Sequence, residues 1–73
     1  MHLDLSEAWY DLGEIHLLEG KPEVAPEDYR EALTLQPSDA RCHAHRARAL
    51  TRLNRPADAI LANREAVRLA PDL

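Results

Sequence analysis

The chain has 73 residues, 13 acids against 9 bases, a net charge of −4, one cysteine and three aromatic side chains. A chain this short makes one small domain and buries only about 60% of the surface it exposes when unfolded. The lone Cys42 excludes an internal disulfide framework, no apolar run approaches the roughly 20 residues of a membrane span, and no charged start with an apolar core marks a secretory leader, so a soluble chain is expected and the cytoplasm is the favoured setting.

Residues 1–5 read as a lead-in. Asp4 and Glu7 have the spacing of a capping box, with Asp4 accepting from first-turn amides and Glu7 reaching back. A first helix is predicted from there to about Glu19. Trp9, Leu12, Ile15 and His16 share one side at helical spacing, with Ala8 beside them. Gly13 lies where a neighbouring helix can approach closely, and Gly20 suits a C-terminal cap. Lys21-Pro22 makes the turn.

The second helix has two candidate starts. Pro22 suits a first helical position, but the ring of Pro26 would then press on the carbonyl of residue 22. Glu27 and Asp28 after Pro26 suit a helix N-terminus, which favours a late or bent start over one at Glu23. The apolar stripe is Ala25, Tyr29, Ala32, Leu33 and Leu35, and Pro37 ends the helix. Ser38 or Asp39 caps a third helix over about 40–53, burying Cys42, Ala47, Leu50 and Leu53 with the stems of His43 and Arg46. Asn54 stands at its stop, Arg55-Pro56 turns the chain, and a fourth helix runs from about Ala57 to Ala70. Its apolar residues are Ala59, Ile60, Ala66, Val67 and Leu69, and Pro71 closes it.

These elements are one unit written twice, at 6–39 and 40–73. A shift of 34 residues repeats Pro22/Pro56, Ala25/Ala59, Arg30/Arg64, Glu31/Glu65, Ala32/Ala66, Leu35/Leu69 and Pro37/Pro71. Such a period signals stacked supersecondary units. Trp9, Leu12-Gly13, Ala25, Tyr29, Ala32 and Pro37 in the first unit resemble the tetratricopeptide repeat. The second unit is looser: His43, Arg46, Ala47 and Asn63 stand where Trp9, Leu12, Gly13 and Tyr29 stood. The expected fold is all-α, two stacked antiparallel helix-turn-helix hairpins forming a piece of an α-α superhelix. Asp4-Leu5 recurs two periods on as Asp72-Leu73, as in a block cut from a longer array or in a unit able to stack head to tail.

The resemblance implies a non-catalytic protein-interaction scaffold that binds a peptide or partner protein through the concave face of each unit's first helix. That face would comprise Glu7, Tyr10, Glu14, Leu17 and Leu18, then Arg41, Ala44, His45, Arg48, Thr51 and Arg52. Tyr10, Leu17 and Leu18 would supply apolar pockets, and Arg41, Arg48 and Arg52 would grip carboxylates with guanidinium forks. Tyr10, Asp11 and Glu14 fill the places where the chaperone-tail subclass wants Lys and Asn, which argues against that ligand.

Other chemistries find little support. Cys42 and His45, three apart on a helix, lack the further ligands of a zinc site, so no metal and no cofactor is expected. No phosphate-cradling glycine loop or nucleophile–base spacing suggests an enzyme. The acidic total and the absence of aromatics among the second unit's bases argue against nucleic acid. Charge is nonetheless uneven: residues 1–39 hold ten acids and two bases, residues 40–73 three acids and seven bases. With no capping helix, the fourth helix would expose Ile60, Leu61 and Val67, while Trp9 has no preceding repeat to lean on. A homo-oligomer formed through these residues, or by acidic-to-basic stacking, is the alternative expectation.

Overall fold

The computed structural model describes residues 4–71, which form four helices: α1 (Leu5–Leu18), α2 (Ala25–Leu35), α3 (Ala40–Arg52) and α4 (Pro56–Leu69). Each packs on the next, α1 on α2, α2 on α3 and α3 on α4. The result is two helical hairpins stacked through α2 and α3, the all-α architecture expected from the period.

The helix ends follow from single residues. Asp4 and Asp39 each accept a hydrogen bond from the amide three residues on, Glu7 and Cys42, both at 3.2 Å. Glu7 does not complete the expected capping box, because its carboxylate is taken by Arg41 at 2.9 Å. At the far ends Gly20 (φ 74°) and Asn54 (φ 57°) turn left-handed. The amides of Lys21 and Arg55 then reach back to the carbonyls of His16 and Leu50, at 2.8 and 3.0 Å. Those bonds satisfy carbonyls that each helix end would otherwise leave bare. Helix α2 starts late, at Ala25, with Pro26 inside its first turn, whereas α4 starts at Pro56, three places earlier in the repeat. Pro26 has no N–H to donate to the carbonyl of residue 22 and its ring would press on that carbonyl, so a helix begun at 22 is blocked.

Two small cores result. The first joins Tyr10, Ala25, Tyr29, Ala32, Cys42 and Ala49, with Trp9, Leu17 and Leu33 packed against it. The second joins Ala47, Leu50, Ala59 and Ala62. Helix α3 serves both, with Cys42 and Ala49 turned to the first hairpin and Ala47 and Leu50 to the second. The buried side of α1 is Ser6, Tyr10 and Gly13, not the stripe of Leu12 and Ile15, which is exposed. Gly13 is there for a steric reason: a Cβ at that position would lie 2.7 Å from Cε1 of Tyr29.

Candidate interaction face

The residues expected on the binding face separate into three groups. The first is a polar seam that joins α1 to α3. Tyr10 is buried, at 7% exposure, so it lines no open pocket. Its hydroxyl lies 3.0 Å from Nδ1 of His45, and the guanidinium of Arg41 covers its ring at 4.0 Å. A carboxylate only accepts, so His45 Nδ1 carries a proton and donates it to Glu14 at 2.6 Å. The Tyr29 hydroxyl donates to the same Glu14 oxygen. Arg41 closes the seam on Glu7.

These neighbours shift the seam's acids. Burial raises the Glu14 pKa, but the hydrogen bonds from Tyr29 and His45 outweigh it, so the carboxyl is held below its ordinary range. Burial first, and the Glu14 charge second, push the Tyr10 hydroxyl up. Tyr29 is raised further, by burial and by its bond to Glu14. Cys42 is fully buried, donates its S–H to the Tyr29 carbonyl at 3.5 Å, and has its thiol pushed up to about 12, chiefly by burial. Cys42 and His45 thus face different partners. Among the described residues no three His, Cys, Asp or Glu side chains gather to hold a metal ion.

The second group is open. Leu18 is 88% exposed, and Arg48, Thr51 and Arg52 are exposed along α3. Thr51 bonds its own helix at the Ala47 carbonyl. Among the described residues neither Arg48 nor Arg52 has a carboxylate partner within salt-bridge distance, while Arg30, Arg55 and Arg68 each have one and Arg41 has two. Leu17 is half-buried against the first core. The third group is Ala44 alone, which lines a shallow groove with Asn63, Ala66 and Val67 of α4.

Of the residues expected to self-associate, Ile60, Leu61 and Val67 are exposed at 52%, 62% and 62%. Trp9 is instead half-buried on the first core. Sequence reasoning missed the bond between His16 Nδ1 and Asp28 Oδ2, 2.5 Å long, which ties α1 to α2. Its one signal was a charged residue, Asp28, beside the buried stripe of α2.

Two helical hairpins stacked through α2 and α3 define a helical-hairpin repeat protein. The sequence profile of the tetratricopeptide repeat matches residues 4–40 and, in an overlapping match, residues 19–73. The chain belongs to the tetratricopeptide repeat family. Comparison with curated proteins gives no match. Tetratricopeptide repeats generally mediate protein–protein interaction and are typically non-catalytic. Among the described residues no helix is long and apolar enough to cross a membrane.

Proposed function

We propose that this chain is a non-catalytic interaction module whose α1–α3 face takes an extended, acidic segment of a partner protein. One observation carries the reading: Arg48 and Arg52 stand one helical turn apart on the exposed side of α3, and among the described residues neither has a carboxylate within salt-bridge distance. Guanidinium forks so placed match two carboxylates of an extended chain. Leu18, at the repeat position on α1 that Arg52 holds on α3, adds apolar surface beside them. The seam of Glu7, Tyr10, Glu14, Arg41 and His45 fixes the spacing of the two helices, so the face is built in advance of binding. Residues 1–73 act as one domain with repeats at 6–39 and 40–73, working on protein partners in the cytoplasm.

Fluorescence anisotropy tests this, with a labelled Asp/Glu-rich peptide and a Lys/Arg-rich one of equal length. The acidic peptide binds, binding weakens with salt, and Arg52→Ala lowers affinity about tenfold, the scale of one charge-assisted bond. Equal binding of both peptides, or none, contradicts the reading.

Self-association is a second reading, favoured by the exposed Ile60, Leu61 and Val67 on α4.

A further inference from the structure

The molecule contains one finished joint between hairpins, α2 on α3, and leaves the same two faces unfinished at its ends. In the finished joint Tyr29 is fully buried, with Cys42 on its carbonyl and the His45 ring edge-on to its own. Pro26 is buried and Leu33 half-buried beside it on α2. One period on, Ile60, Asn63 and Val67 hold those three places on α4, and all are exposed. The opposing side behaves alike. Cys42 and Ala49 of α3 are buried, whereas Ala8 and Ile15 hold their places on α1 and are exposed. Leu12, in the place of Arg46, is exposed too.

We propose that a second copy of the chain completes these faces head to tail, its α1 docking on α4 as α3 docks on α2. This inference deepens the self-association reading and rests on it. Three observations select a second copy as the occupant.

The first is polar complementarity. Three polar contacts of the finished joint, moved forward by one period, yield matched pairs, whereas the Tyr10–His45 and Cys42–Tyr29 contacts fall on Ala44 and Ala8 and do not carry over. Glu7–Arg41, at 2.9 Å, becomes Arg41 with the second copy's Glu7. Glu14–His45, at 2.6 Å, becomes Arg48 with the second copy's Asp11. The Pro37 carbonyl accepts from His43 Nε2 at 3.0 Å, and its counterpart at Pro71 meets the indole N–H of the second copy's Trp9. Two of these pairs reverse the charges of the original and still attract.

The second is size. The finished joint sets large side chains, Tyr10 and Tyr29, against small ones, Cys42 and Ala49. At the ends the order inverts: Ala44 and Asn63 are small where the tyrosines stood, and Ile15 is large where Ala49 stood. The missing bulk shows as two shallow grooves, of about 330 and 130 Å³, with Asn63 in both. Leu12 and Ile15 of an incoming α1 are the side chains placed to fill them.

The third is net charge. The docking end is basic, seven bases to three acids over 40–73, and the incoming end acidic, ten acids to two bases over 1–39. Strict register gives the incoming Asp4 and Leu5 the places of residues 72 and 73, which lie outside the described residues. A heterologous joint of this kind does not close, and growth continues past the dimer. Within the assembly Asp11 occupies Arg48 and leaves Arg52 open.

Sedimentation velocity of the 73-residue chain across concentration tests the joint, with Asp11→Arg, Arg48→Asp and the double reversal. Both side chains are exposed, and circular dichroism checks that each variant keeps its helices. The mass of the unaltered chain should climb with concentration without stopping at a dimer. Each single reversal sets like charges opposite each other and should weaken association about tenfold, and the double reversal should restore it. A monomer at every concentration would remove the self-association reading altogether. A mass that stops at the dimer, or association that ignores the single reversals or is not restored by the double, would leave self-association standing and overturn the head-to-tail joint.

Discussion

The two hairpins hold the same fold by different chemistry. In the first, His16 on α1 bonds Asp28 on α2; in the second, the same two repeat positions are Leu50 and Ala62, packed together in an apolar core. In the first, Gly13 makes room for the ring of Tyr29; in the second, Ala47 and Asn63 stand there, and Asn63 looks outward. Of the residues identical in the two units, only the alanines Ala25/Ala59 and Ala32/Ala66 are buried in both. The repeat thus fixes where helices approach, through small residues and turn chemistry, and leaves the rest of each interface to what lies next to it. Helix α2 has a neighbour and carries a buried aromatic ring; the matching face of α4 lies open and carries an amide.

The comparison is broken most sharply at positions 29 and 63. Tyr29→Ala removes a fully buried ring and the donor to Glu14, and should cost about 3–5 kcal/mol by urea denaturation. Asn63→Ala, at the same repeat position but exposed, should change stability by less than about 0.5 kcal/mol. Equal effects would mean that the two positions are not buried differently.

Next is the polar pair of the first hairpin. Asp28→Ala strands His16 and should cost about 1–3 kcal/mol. His16→Leu together with Asp28→Ala installs the second hairpin's apolar pair and should recover most of that loss, since an apolar contact of similar shape replaces a buried polar pair at little cost. A double variant less stable than Asp28→Ala would show that the hairpins are not interchangeable at this point.

Gly13→Ala should destabilise by about 1–3 kcal/mol because its Cβ drives into the Tyr29 ring. At the matching place Ala47→Gly should also destabilise, by about 1 kcal/mol, through backbone freedom gained in the unfolded chain. One position tolerates no methyl and the other needs one.

The smallest effect is in acid. Glu14 is held below its ordinary value of 4.5, so the native state favours its carboxylate. Its contribution is present above that value and is lost as pH falls through the lower native pKa. Urea midpoints measured from pH 7 to pH 3 should therefore drop at the acid end, and Glu14→Gln should flatten that part of the curve. The second hairpin has Arg48 at this place and adds no such slope.

Much of this architecture was legible in the sequence because its signals are local. Gly20 and Asn54 mark left-handed stops, Asp4 and Asp39 mark helix starts, Pro26 delays α2, and the period of 34 pairs the helices. The seam was not legible. Tyr10, Glu14 and His45 share one side of their helices at ordinary solvent-face spacing, and what turns Tyr10 inward is a partner 35 residues away. Helical spacing tells which residues share a side, and only the side-by-side placement that lets Tyr10 and Glu14 reach His45 tells which sides meet. The Leu12–Ile15 stripe shows the converse, since its apolar pattern reads as buried although among the described residues no helix covers that side of α1.

We propose that the open cations of α3, and not the outer face of α4, receive a partner's acidic segment. Amide chemical shifts of the isotope-labelled chain, followed at low protein concentration during titration with an acidic peptide, test it directly. Shifts should concentrate at Arg48, Thr51 and Arg52, with Leu18 across from them, while Ile60, Leu61 and Val67 stay still. Shifts confined to α4, or none at saturating peptide, would contradict it.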